Sequence, residues 1–423
     1  MTPVPLDLPL RPSEAAELAI LIFEQAERKP LNDEVRNRLA ARAAVLRLET
    51  VAPYFGSLVR DPVHPSSYYL AVDAGRGEPL LLHLALATAP TSSIFYKPLL
   101  IGRMRRPNGP EIVVNALPFG PSDHENIEKF VAQIGAAFLP RPQGLRPAIA
   151  VSGALPAAFD AFGAILKRSG KNLAATAANP AASSRDFYYA GLCAAIRAGW
   201  REGYSAGIHV VVGAGQETIR NAAGFTRFST DTSSLFREAG DGAALEDRAW
   251  ILDEFVRPFE IGDAVYEFTA ADALRLASKF GSALKANEQL HESIRQARAA
   301  LKTGRSFDFE PSLEGAATPT TPQELIFWLH WLKARGHGAQ LAAPNLGGDC
   351  VAGRLKEFAA IARHYHCILS ICSGAGHSPE ALEAIARATV GRVNYRLSPE
   401  LHLPPENPDY SRYIIWLAEH LVV

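Results

Sequence analysis

From residue 147 onward the chain repeats one unit. A short apolar run ends in a small or polar residue, and a helical stretch usually follows. The runs are PAIAVSG (147–153), NLAATAAN (172–179), SAGIHVV (205–211), FTRFSTD (225–231), SFDFEPS (306–312), AQLAAPN (339–345), CILSICS (367–373) and RVNYRLS (392–398). Strands separated by helices cannot pair as hairpins; they pair in parallel through crossover helices. Eight such units predict a (β/α)8 barrel, a fold of about 250 residues, and residues 147–423 supply that length. An open doubly wound sheet is the alternative arrangement of the same units. The stretch 232–305 is too long for one crossover helix. Helical patterns at 243–256 and 269–303 make it a helical insertion.

A barrel carries its chemistry at the C-terminal ends of its strands. Those ends hold Ser152, Asn179, His209, Asp231, Glu310, Asn345, Cys372 and Arg396. His, Asp, Glu and Cys collected at one mouth are donors suited to a divalent metal. Each also has a plainer reading. Cys372 fits a buried thiol, His209 a hydrogen-bonded core histidine, and Asp231 a helix cap. The segment SFDFEPSLEG (306–315) is harder to read as packing alone. Its alternation puts Ser306, Asp308 and Glu310 on one strand face and Phe307 and Phe309 on the other. Two carboxylates on one face of a buried strand require a metal, a substrate or a basic partner.

The first 146 residues read as a separate α+β region. Helices are expected at 12–27 and 32–49, and strands at 68–72, 80–85 and 112–116. Ser122 and Glu125 resemble a capping box that opens a helix at Asp123. The proline-rich segment FLPRPQGLRP (138–147) makes the boundary. This region is left to cover the barrel or to mediate assembly into a homo-oligomer. A formal net charge of −1 argues against nucleic acid or an anionic membrane as partner. No apolar run approaches the roughly 20 residues that span a bilayer, and the first residues lack a secretory pattern. Four scattered cysteines without a CxxC pair suit reduced thiols in the cytoplasm.

FDFEPSLEGAATPTTPQEL (307–325) resembles a signature of the tagaturonate epimerase family, in which FDFE, an acidic turn and a TP-[ST]-P segment follow one another. GWREGYSAGIHV (199–210) is similar to the family's EGY segment leading to a histidine, and FTRFSTDTSSLFR (225–237) to its FT-x-F-x-x-D segment. LSICSGAGHSPEAL with RATVGRVNYR, within 369–396, resembles its SxHSGSxK segment and the strand after it. VNALPFGPSDHENIEKF and FLPRPQGLRPAIAV resemble one branch of the family. The likeness runs in order over most of 112–398. It implies a barrel that interconverts tagaturonate and fructuronate with a divalent metal. These sugars differ at a carbinol β to the ketone, which simple enolisation cannot invert. Retro-aldol cleavage, rotation and re-addition can, and a metal stabilises the enediolate so formed. No nicotinamide is expected, because VGAGQE (212–217) lacks the GxGxxG setting.

Carried over position by position, the resemblance implies metal ligation by His209, Asp231, Glu310 and Cys372, and proton transfer by Asp308 and His377. It implies substrate binding by Ser373 and Arg396, and Asn345, at its strand end, is expected to hold a further polar group of the substrate. Cys372 stands where the family has histidine, His377 where it has a lysine, and Arg396 where it has a second lysine. A thiolate donor favours zinc over Mn²⁺ or Mg²⁺. Arg396 can grip a carboxylate but cannot give up a proton. A sugar-acid-binding homologue without catalysis, and a metal-dependent aldolase or isomerase, are the alternatives to an epimerase.

Overall fold

A computed structural model describes residues 10–27, 30–88, 99–106, 109–151, 174–179, 185–213, 216–237, 247–301, 306–347, 352–372, 378–397 and 409–421. The fold is mixed α/β. The chain separates into two compact units, Met1–Leu139 with Asp186–Gly203, and Pro140–Arg185 with Tyr204–Val423.

The first unit is built on an antiparallel sheet. Its strands are β1 (Val51–Pro53), β2 (Val59–Arg60), β3 (Ser67–Ala74), β4 (Glu78–Leu86), β5 (Leu99–Met104) and β6 (Ile112–Pro118). They lie in the order β1-β3-β4-β6-β5, with β2 also paired to β3. Period two divides each central strand between two cores. Tyr68, Leu70 and Val72 face one core with Leu80, Leu82 and Leu84, under the helices Pro12–Ala26 and Asp33–Ala43. Tyr69, Ala71 and Leu81 face the other, against Ile127 and Phe130 of the helix His124–Gln133 and Leu192 and Ile196 of the helix Arg185–Ala198. A sheet covered on both faces needs no polar alternation, so SYYLAVDA reads as an almost unbroken apolar run.

The helix expected at 32–49 spans Asp33–Ala43. Asn32 caps it by accepting from the Val35 N–H at 3.0 Å, and beyond its end Leu46 and Leu48 pack half-buried on the same core. Gly199 adopts φ +70°, and a Cβ there would lie 2.6 Å from the Gly56 Cα, so a backbone approach holds this corner.

The second unit contains β7 (Ala148–Val151), β8 (Ala174–Asn179), β9 (Tyr204–Val211), β10 (Arg227–Asp231), β11 (Pro258–Ile261), β12 (Ala264–Glu267), β13 (Asp308–Ser312), β14 (Leu341–Ala342), β15 (Ile368–Cys372) and β16 (Val393–Arg396). Eight of them, all but the β11–β12 hairpin, form one sheet in the order β13-β10-β9-β8-β7-β16-β15-β14. Every pair in it is parallel. All eight runs expected from the sequence supply one of these strands. The two outer strands also meet: Ser312 and Ala343 form a parallel bridge, and the Leu313 N–H donates to the Ala343 carbonyl at 2.8 Å.

The stretch between β10 and β13 carries the helices Arg248–Phe255 and Ala270–Ala299 and the β11–β12 hairpin. Thr269 and Asp272 cap the long helix reciprocally. After β13, Thr321 and Glu324 do the same for Pro322–Ala334, whose Trp328 and Trp331 are fully buried. Among the described residues no helix is long and apolar enough to cross a membrane.

Candidate active site

Parallel register decides which side chains share a face. His209, Ser229 and Glu310 are level across β9, β10 and β13, and Val211, Asp231 and Ser312 are level one step nearer the strand ends. On β15 and β16, Ser370 is level with Asn394, and Cys372 with Arg396. β7 presents only Ala148 and Ala150 opposite Asn394 and Arg396, which leaves room for long polar side chains.

A buried polar network fills that room. Glu310 is 0% exposed and Arg227 4%. Arg227 donates through Nη2 to Glu310 Oε2, and through Nη1 to Asn394 Oδ1 at 2.7 Å. Asn394 Nδ2 donates to Ser370 Oγ at 2.8 Å, and Ser229 Oγ to Glu310 Oε1 at 3.2 Å. Arg396 Nη1 lies 3.7 Å from Glu310 Oε1, while its Nη2 donates to Glu314 Oε1. Burial pushes the Glu310 carboxyl upward. The charges of Arg227 and Arg396, with hydrogen bonds from Arg227 and Ser370, outweigh it and hold the group below the usual glutamate range. Burial acts on Arg396 in the opposite sense to Glu310 and Glu314, whose charges prevail and raise it further.

Nearer the strand ends, His209 Nε2 lies 3.9 Å from Asp231 Oδ2, and both side chains are about one-third exposed, at 32% and 33%. Asp231 Oδ1 accepts from the Ser233 N–H at 2.9 Å, so the helix-capping reading of this aspartate is realised as a tight turn. The loop after β13 comes down onto that turn. A Cβ on Gly315 would sit 2.3 Å from Ser233 Oγ, so glycine lets the loop bring Glu314 to Arg396.

The four expected metal ligands therefore divide. His209 and Asp231 are close enough to serve one ion, whereas Glu310 faces two arginines. Cys372 is exposed at the end of β15. Among the described residues no three His, Cys, Asp or Glu side chains gather as a metal-holding group. Of the four, His209 and Asp231 are the pair that the fold brings within 3.9 Å of each other.

Asp308 is not with them. It begins β13, at the end opposite Ser312, and its two oxygens accept from the backbone N–H groups of Gln143 at 2.7 Å and Gly144 at 3.0 Å. Burial holds its carboxyl above the ordinary aspartate value despite those bonds. The side chain expected to transfer protons here fastens the segment that precedes β7. Asn345 is committed too. Its Nδ2 donates to the Ala316 carbonyl at 2.7 Å, and its Oδ1 accepts from Gly347 N–H at 2.9 Å. The side chain expected to contact substrate ties two loops together here. Ser373 and His377 lie outside the described residues.

Sequence reading passed over Arg227, Ser229, Ser370, Asn394 and Glu314. Period two was a usable signal for four of them. Arg227 and Ser229 share a face with Asp231, Ser370 with Cys372, and Asn394 with Arg396. Glu314 lies in a loop, where periodicity says nothing.

The fold has solved counterparts. The native crystal structure of the fructuronate-tagaturonate epimerase UxaE from Cohnella laeviribosi superposes with a TM-score of 0.64 at 19% identity, over 85% of this chain and 74% of that one. Its one-glycerol and two-glycerol complexes each superpose with a TM-score of 0.62 at 20% identity, over 86% of this chain and 74% of theirs. The chain thus resembles this epimerase in fold, as its motifs do in sequence. No protein-family model matches the chain, and no curated protein matches it.

Proposed function

We propose that the chain is a carbohydrate epimerase acting on a ketose or ketouronate by retro-aldol cleavage and re-addition, on a closed (β/α)8 barrel. The observation that carries this reading is the pairing of His209 with Asp231, 3.9 Å apart at the C-terminal ends of adjacent parallel strands, in a fold shared with an epimerase. The bridge between β13 and β14 supports closure of the barrel. His209 and Asp231 would hold a divalent cation, zinc in our reading. Glu310, already held by Arg227, is left out of the ligand set. When bound, the metal supplies charge stabilisation for an enediolate. The buried Arg227–Glu310–Asn394–Ser370 network would form a rigid floor, and His377 keeps the proton-transfer role proposed for it. We place the protein in the cytoplasm, as a small-molecule enzyme without nucleic-acid or membrane partners.

The test joins composition with product analysis. Purified protein, stripped and reloaded with zinc, is incubated with ketohexoses and ketouronates beside a His209→Ala control. About one zinc per chain and a C4 epimer, both lost in the control, are expected. Cleavage products without epimer would indicate an aldolase. Thermal stabilisation by sugars without turnover would indicate a binding protein.

A further inference from the structure

Resting on that reading, we infer that the substrate is a neutral ketose, because the guanidinium that would grip a sugar carboxylate is already closed by the chain's own Glu314. Recognition of a carboxylate calls for a guanidinium with two adjacent N–H groups free to form a bidentate pair. The Lys and Arg residues on the eight parallel strands are Arg227 and Arg396. Arg227 is 4% exposed, and it spends its N–H groups on Glu310, Asn394 and Ser370. Arg396 sits at the strand end, where an anchor belongs, yet its Nη2 is bound to Glu314 and its Nη1 faces Glu310. The remaining Nε is buried without a hydrogen-bond partner.

With Nη2 held by Glu314 and Nε buried, Nη1 is left to bind single hydroxyl or carbonyl oxygens rather than to complete a fork. A carboxylate approaching Arg396 would also meet the negative charges of Glu310 and Glu314. Glu314 thus occupies the place a substrate carboxylate would take, as a built-in competitor for it. The same arrangement admits a sugar whose terminal carbon carries a hydroxyl, since a neutral group meets no like-charge repulsion. Specificity of this kind arises from a repulsive element as much as from attraction. Glu314 is about one-third exposed on a loop, so changing it tests specificity without opening the core.

The experiment compares D-fructose with D-fructuronate, which differ by a hydroxymethyl against a carboxylate. Epimer formation is followed by chromatography and binding by thermal shift, in the wild type and in Glu314→Gln. We expect the wild type to favour fructose in kcat/KM by about tenfold or more, roughly what one charge-assisted hydrogen bond is worth. In Glu314→Gln the ratio should move toward fructuronate by at least about the same factor. A wild-type preference for fructuronate, or a ratio unmoved in the variant, overturns this inference and leaves the epimerase standing. Neither turnover nor stabilisation with either sugar overturns the epimerase reading and this one with it. The wild-type ratio needs no variant to fold.

Discussion

Arg227→Met isolates the interaction on which the floor of the second unit depends. The Arg227 and Glu310 side chains are 5% and 0% exposed, so their attraction is little screened by water. At the effective dielectric suited to protein sites, a pair about 4 Å apart is worth about 4 kcal/mol. Removing one member of a buried pair costs about 3–5 kcal/mol, since the other charge stays desolvated. Arg396, 3.7 Å from Glu310, cannot take over, because Glu314 already holds it. Arg227→Met should therefore lose about 3–5 kcal/mol at neutral pH.

The pH dependence follows from the direction of the shift. In the wild type the folded-state pKa of Glu310 is depressed. Its contribution is present above the unfolded value, about 4.3, and is lost as pH falls through the folded value. Without Arg227 burial prevails, the folded pKa rises above the unfolded one, and protonation relieves the cost. The gap between variant and wild type should narrow as pH falls from about 7 toward about 4.5. Urea unfolding, followed by the fluorescence of Trp250, Trp328, Trp331 and Trp416, measures it. The double variant Glu310→Leu/Arg227→Met should be less impaired than Arg227→Met alone, because Asn394 and Ser370 still bond each other at 2.8 Å. A loss below about 1 kcal/mol, or a deficit that is flat with pH, would refute the argument.

Two further outcomes are expected. Gly199→Ala places a Cβ 2.6 Å from the Gly56 Cα at φ +70°; it should cost more than about 1 kcal/mol, and an unchanged unfolding midpoint would contradict this. Iodoacetamide on native protein should label Cys372, while Cys193 and Cys367, buried and with thiols pushed up to about 12, stay unmodified. Peptide mass spectrometry decides, and labelled Cys367 in folded protein would count against the packing described.

Apolar runs that end in polar residues located the eight parallel strands, because burial on both faces leaves a signal in any short window. The same logic found β3, β4 and β6. It missed β1 and β2, which have three and two residues, and β5, an edge strand whose pairing shifts register between Leu100 and Gly102. The hairpin β11–β12 was hidden inside the insertion because its strands expose Ala264 and Val265. His209 and Asp231 were legible as neighbours because adjacent strands carried them at equivalent ends. The partner of Glu310 was not, since Arg227 is 83 residues away and only the pairing of β10 with β13 brings them together. The role of Asp308 was equally hidden, depending on two backbone N–H groups 165 and 164 residues earlier in the chain.

The first unit borrows residues 186–203 from beyond the first strands of the second, and this sets an order on synthesis. As the chain leaves the ribosome, residues 1–139 can form the six strands and the core under the helix Pro12–Ala26. The opposite face, with Tyr69 and Leu81, stays open until Leu192 and Ile196 arrive. By then β7 and β8 have also been made, with their neighbours β9 and β16 still to come. Two unfinished sheets then coexist on one nascent chain, each with apolar surface awaiting a later segment. A chain truncated after residue 139 would retain that open face permanently and should aggregate.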